Sequence, residues 1–242
     1  MKIKTSGRKG IKNEFIKYAF EFVILFLAVF MGFIAENYRE NLADEARETN
    51  YIKNMVRDLK GDKKIISQLI EKNKKMIIAI DTFVKIRNLN FTHIKNTDLF
   101  YDLFLEINMW SVGIYTPNEI TISQIKATGG FNIVRPKISD LISEFDIKTQ
   151  HLKWSAMYPT NHAEESFRMI HELTDYPGLD EKPYPPLSID NKIKLRKFFN
   201  LSADLMYTVR DYNDRLNNHL RTIDTLIKIL EQDYHLQEGQ SK

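Results

Sequence analysis

"EFVILFLAVFMGFIAENYREN", Glu21–Asn41, sets fourteen apolar residues in a row, from Phe22 to Ala35, between a carboxylate and a run of charged and amide side chains. Three structures fit such a run: a membrane span, a cleaved export signal, and the core helix of a folded domain. If the single charge of Glu21 is tolerated, the run reaches back to Tyr18. Tyr18 to Ala35 is 18 residues, roughly 27 Å of α-helix at 1.5 Å per residue. That nearly matches a hydrocarbon core of about 30 Å. Tyr18 and Tyr38 fall at the two ends, where interfacial aromatics belong. Glu21 lies one turn in, near the headgroups, where its cost is below the roughly 2.5–3.5 kcal/mol of a charge at the helix centre. It either reaches the interface beside Lys17 or meets another membrane helix. Ala28 and Gly32, four residues apart, offer a small face for helix packing.

An export signal has a shorter apolar core and ends in a small-x-small cleavage site. Here the run ends Gly32-Phe33-Ile34-Ala35, with bulky Phe33 where a small residue is required, and a helical pattern continues from Glu36. The segment is therefore expected to be an uncleaved anchor bounded by Tyr18, Glu21, Phe22, Gly32, Ala35 and Tyr38. Six basic residues precede it, whereas only Arg39, Arg47 and Lys53 fall in the stretch that follows. Basic flanks stay cytoplasmic. Residues 1–17 are thus expected to be a basic cytoplasmic tail, 18–35 a single pass through the inner (cytoplasmic) membrane, and 36–242 an extracytoplasmic domain.

The chain has 242 residues, 43% of them apolar, and no cysteine. That is ample for a buried core and excludes disulfides, thiolate zinc sites and thiol nucleophiles. The net charge of +3 is concentrated in the tail: from Glu36 onward there are 29 basic and 30 acidic residues. An interspersed, near-neutral folded part argues against a nucleic-acid binder.

From Glu36 to Asn88 there is one glycine, Gly61, and no proline. Residues 36–50 are mostly polar and are expected to form a stalk. Beyond them, Ile52, Met55, Val56, Leu59, Ile66, Leu69, Ile70, Met76, Ile77, Ile80, Phe83 and Val84 recur in steps of three and four, the mark of an amphipathic helix. A kink is expected at Gly61. Thr97 suggests the cap of a second helix, Asp98–Trp110. Thr116, Pro117 and Glu119 suggest a capping box for a third, which Gly129-Gly130 would end. Pro136 opens a further helix expected to run past His171. "DYPGLDEKPYPPLSID", Asp175–Asp190, holds four of the seven prolines and must be a loop. A last helix is expected over about Asp190–His235, with a frayed tail at 236–242. Trp110 and Trp154 are expected in the core. The fold is predicted to be all-α: an N-terminal transmembrane helix continuing into a long stalk helix and an antiparallel helical bundle over 51–235.

"EFVILFLAVFMGFIAENYRE" followed by "YIKNMVRDLKGDKKIISQLIEKNKKMIIAID" resembles the start of an uncharacterised single-pass membrane protein family of Bacteroidota, a domain-of-unknown-function family. "TISQIKATGGFNIVRPKISDLISEF", Thr121–Phe145, resembles the same family, in which a helix, a small-residue turn, a short apolar segment and a second helix recur in this order. The likeness covers most of Glu21–Phe145. This chain has Ala28 where the family carries glycine, and Thr128-Gly129-Gly130 in place of Ser-Gly. The resemblance implies a membrane-anchored helical protein and brings no catalytic residue with it.

No set of side chains spells out a reaction. His162 and Glu165 are three residues apart on one helical face, but neither His-Glu-x-x-His nor paired Glu-x-x-His motifs occur, so no metal is expected. "ATGGFNIVRP" is glycine-rich yet lacks the Lys-Ser/Thr of a phosphate loop; it suits a helix end, with Arg135 as the one anion contact to consider. The proline-rich loop either joins two helices and nothing more, or docks a partner through Tyr176, Pro177, Pro183, Tyr184, Pro185 and Pro186. The expectation is a non-enzymatic envelope scaffold or interaction module without cofactor. Its partners would be the bilayer, a membrane or envelope protein, and a second copy paired as a coiled coil through the stalk. The alternative is an extracytoplasmic small-molecule sensor working through a partner membrane protein.

Overall fold

The computed structural model describes residues 8–107, 112–174, 182, 184, 187 and 192–236, with side chains from Lys17 onward. Six α-helices follow in order: α1 Arg8–Lys85, α2 Ile94–Ile107, α3 Ile120–Ala127, α4 Pro136–Ser155, α5 Met157–Leu173 and α6 Lys192–Asp233. Short 3-10 turns follow α1 at Ile86–Asn88 and α3 at Gly130–Asn132. Among the described residues there is no strand. The fold is all-α, as the hydrophobic periodicity requires. It divides into two compact units, Met1–Asn50 and Tyr51–Lys242.

The first unit is the N-terminal part of α1. Every large apolar side chain from Phe20 to Ile34 is 46–69% exposed. A helix that is apolar all round belongs in a core or in a bilayer, and within this chain none of these side chains finds a core. The helix is long and apolar enough to cross a membrane. Phe22, Phe26 and Phe30 stack along one face at 6.5 and 6.0 Å between centroids. Lys17 Nζ lies 4.0 Å from Glu21 Oε1. Nothing approaches a Cβ placed on Gly32. Beyond the apolar run, Arg39 pairs with Glu36 and Arg47 with Asp44, three residues apart in each case.

The second unit is a bundle around two adjoining apolar clusters. One gathers Ile52, Leu59 and Ile66 of α1, Ile125 of α3, Ile138 and Ile142 of α4, and Leu216, Ile223 and Leu230 of α6. The other gathers Ile80 and Phe83 of α1, Phe100 and Phe104 of α2, Ile170 of α5, and Phe198, Phe199 and Leu205 of α6. Residues 51–85 of α1 and the whole of α6 thus run through both clusters. They are antiparallel: Lys60 pairs with Glu231 and Lys63 with Asp224 near one end, while Phe83 stacks on Phe199 at 4.9 Å near the other.

Several boundaries differ from the sequence expectation. α1 continues through Gly61, whose absent side chain would point into open space. Gly61→Ala is therefore expected to stabilise this unit by about 0.5–1 kcal/mol, because alanine loses less backbone freedom on folding. A lower thermal midpoint for the variant would show that the helix needs glycine there. α2 starts before Thr97, whose hydroxyl donates to the Phe91 carbonyl at 2.9 Å instead of capping. The predicted single helix from Pro136 to beyond His171 is two. It breaks at Ala156 because Pro159, with no N–H and a bulky ring, is tolerated only in the first turn of a new helix. Trp154 is not a core residue. It is 60% exposed and meets Tyr158 edge-to-face at 5.5 Å. The buried face of α4 is Ile138, Ile142, Phe145, Thr149 and Leu152, and Trp154, two residues past Leu152, lies about 200° away at 100° per residue. Trp110 lies outside the described residues.

Candidate functional site

Polar residues occupy the buried stripe of α1 at three points. Asp58, Asp62 and Asn73 are all buried, interleaved with Leu59, Ile66 and Ile70. Such groups persist only when their hydrogen bonds are met, and here the partners lie in an irregular strap, 112–119, that crosses between α2 and α3, and in the first turn of α3. Asn73 clamps Gly113 by both its amide atoms: Gly113 N–H donates to Oδ1 at 2.8 Å and Nδ2 donates to the Gly113 carbonyl at 3.2 Å. A Cβ on Gly113 would stand 2.8 Å from Asn73 Oδ1, so only glycine admits this clamp. Tyr212 Oη accepts the Tyr115 N–H at 3.0 Å. Asp62 accepts the Tyr115 hydroxyl at 2.7 Å and the Asn118 N–H at 3.1 Å.

Asp58 completes the set by accepting from the N–H of Thr121, at 3.2 Å, and from its hydroxyl, at 2.5 Å. The start of α3 is thus capped by a carboxylate sixty-three residues upstream. The expected capping box does not form. Thr116 and Pro117 are outside the helix, and Glu119 reaches Gln150 and Lys153 of α4, both at 2.9 Å. That pairing holds the Glu119 carboxyl below its ordinary range. Burial pushes the Asp62 carboxyl up, against its two donors.

Beside this strap lies a cleft of about 10 Å³ between Asp58, Asp62, Asn118 and Phe145, room for about one water. Phe145 also lines an open groove between α4 and α6. One lobe, about 290 Å³, runs over Leu141, Phe145, Leu226 and Ile229 under Lys148 and Arg221. The other, about 390 Å³, is bounded by Lys148, His151, Arg215, Asn218, His219 and Thr222. Lys148 and Thr222 are common to both.

His219 is the buried ionisable group at the groove floor. Its ring stacks on Phe145 at 5.2 Å, faces Tyr115 at 5.8 Å, and puts Nε2 3.4 Å from Thr149 Oγ1. Burial first, and Lys148 second, depress its pKa to about 4 from the ordinary 6.5. The folded state therefore takes up this proton later than the unfolded chain does. The contribution of neutral His219 is complete above pH 6.5 and is lost as pH falls towards 4, at about 1.4 kcal/mol per pH unit. Asp62, with its folded pKa raised, acts in the opposite sense just above pH 3.8. Denaturant midpoints measured from pH 7 to pH 4.5 are expected to fall more steeply for the native chain than for His219→Gln. Equal slopes would mean that His219 is not held neutral.

The residues singled out from sequence are scattered. The residues expected to bound an anchor, Tyr18, Glu21, Phe22, Gly32, Ala35 and Tyr38, lie in the first unit, all exposed. In the proline-rich loop, Tyr176, Pro177, Pro183, Pro185 and Pro186 lie outside the described residues. Tyr184 is half-buried against α2, with its hydroxyl donating to Asp102 at 3.0 Å and its ring 5.1 Å from Tyr101. His171 packs against Phe167, and Glu165 faces Lys197 at 3.8 Å. Among the described residues, no three His, Asp or Glu side chains converge as metal ligands. Gly129 takes the left-handed conformation, φ 68°, after α3, as its place past a helix end suggests. Arg135 lies 4.0 Å over the Tyr234 ring and donates to the Asp233 carbonyl at 3.3 Å, closing the end of α6. Asp58, Asp62, Asn73 and His219 went unnoticed in the sequence. The signal that could have found them is a polar residue at a position the apolar repeat reserves for the core.

No family model, curated protein or solved structure matches this chain.

Proposed function

We propose that the protein is a single-pass, non-enzymatic interaction module of the cell envelope, anchored in the inner membrane with its bundle on the extracytoplasmic side. The observation that carries this reading is the run of apolar side chains from Phe20 to Ile34, each 46–69% exposed, on a helix long and apolar enough to cross a hydrocarbon core. The basic flank before it supports the orientation. The bundle's interior is committed to holding its own strap, with both buried carboxylates engaged by backbone and hydroxyl donors. Its surface presents Trp154, Met157 and Tyr158, each at least half exposed, residue types enriched where proteins meet.

A photocrosslinking residue at Tyr158 in living cells tests it. Reproducible capture of one membrane or envelope protein is expected, and its loss on Trp154→Ala. An anchored, folded chain that crosslinks nowhere on the bundle surface would remove the reading. The α4–α6 groove specifically favours a second reading, an extracytoplasmic small-molecule sensor that acts through a partner membrane protein. A ligand in the groove would lie against His219, which touches the Tyr115 of the strap.

A further inference from the structure

We infer that the α4–α6 groove is a binding site for a small amphipathic monoanion, a carboxylate with an apolar body; this rests on the sensor reading. The groove joins two surfaces of different chemistry. Phe145, Leu226 and Ile229 make an apolar shelf. Lys148 and Arg221 border the same lobe as this shelf, and Arg215 borders the adjoining lobe, which shares Lys148 and Thr222 with the first. Ligand pockets commonly combine an apolar wall with a few convergent polar groups in about 300–1,000 Å³, and the two lobes, about 290 and 390 Å³, stand at the lower end of that range.

The cations have exchangeable partners. Lys148 pairs with Glu144 at 2.7 Å and Arg215 with Asp211 at 2.8 Å, all four side chains about half exposed or more. Arg221 reaches the Asn218 amide oxygen at 3.4 Å. Exposed pairs of this kind contribute little, so a carboxylate that also rests on the apolar shelf can displace them. Glu144 lines the same lobe, which disfavours a doubly charged head and selects a monoanion. His219, buried and held neutral, lines the second lobe and adds no charge to it.

The test uses the full chain in lipid nanodiscs, with 4-phenylbutyrate as probe and the imidazole NMR signals of His151 and His219 as the readout, which partition of the probe into lipid does not mimic. 4-Phenyl-1-butanol supplies the body without the charge, and acetate the charge without the body. Saturable shifts with 4-phenylbutyrate are expected, at least about tenfold weaker with either half-probe and in the Lys148→Gln/Arg221→Gln double variant. Both replaced side chains are on the surface, and Lys197→Gln, on a distant part of α6, serves as the charge control. Absent shifts, equal binding of the alcohol, or unchanged binding in the double variant would overturn the inference. Binding that leaves the Tyr158 crosslinks unaltered would sustain the site and overturn only the sensor reading.

Discussion

Phe100→Ala is expected to lower the stability of the 51–242 unit by about 3–5 kcal/mol, the range for an aromatic side chain removed from a core. Phe100 is fully buried and stands at the centre of a phenylalanine cluster. Its ring lies 5.1 Å from Phe83, 5.7 Å from Phe91, 5.9 Å from Phe198 and 6.0 Å from Phe199. These rings come from α1, α2, α6 and the turn between α1 and α2, so one deletion loosens all of them. Edge-to-face and offset pairs add to the burial term, and rigid neighbours collapse poorly into the space left. Phe100→Leu, which keeps most of the volume, is expected to cost less than about 1.5 kcal/mol. Trp154→Ala, a larger deletion at an exposed site, should stay within about 0.5 kcal/mol. Urea unfolding of the three variants in micelles orders them. A Trp154 effect equal to that of Phe100 would contradict the placement of α4.

Asp62→Ala is expected to cost about 1–3 kcal/mol, because it strands the buried Tyr115 hydroxyl, worth about that much when left without a partner, and leaves the N–H of the exposed Asn118 to water. The loss should be local in character. The strap detaches from α1 while Asn73 still holds Gly113 and Asp58 still caps α3. Faster amide exchange at Asn118 than in the middle of α6 is the corresponding sign. Asp62→Asn keeps one acceptor oxygen and no charge, and should cost about 1 kcal/mol. An alanine variant as stable as the native chain, with Asn118 still protected, would show that Asp62 does not hold the strap.

The helices were legible from sequence wherever one buried face repeats every three to four residues. The stripe from Ile52 to Phe83 is buried almost throughout, and α6 begins and ends within two residues of its expected bounds. What failed was local chemistry overridden by distant partners. Thr116-Pro117-Asn118-Glu119 has every residue of a capping box, yet the Asn118 N–H is taken by Asp62, fifty-six residues away, and no local rule sees that. Thr97 differs, since its hydroxyl turns to the Phe91 carbonyl only six residues back, inside a helix that has already begun at Ile94. The phase of Trp154 on α4 excludes it from the face that Ile142 and Phe145 define, a relation already present in the sequence. The buried acids were half legible: Asp62 stands where Leu59 and Ile66 predict an apolar residue. The strap that satisfies it has no periodicity, so its position could not be read.

The orientation of the chain across the bilayer is the claim on which the proposed function depends, and the absence of cysteine gives it a direct measurement. Ser6→Cys places the sole thiol in the basic N-terminal tail. Ser123→Cys places it on an exposed position of α3. Intact cells are treated with a membrane-impermeant maleimide, and labelling is read on the carbonate-washed membrane fraction. The account predicts that Cys at 123 is labelled in intact cells and Cys at 6 only after lysis. Labelling at 6 in intact cells with protection at 123, or recovery of the chain in the soluble fraction, would contradict it.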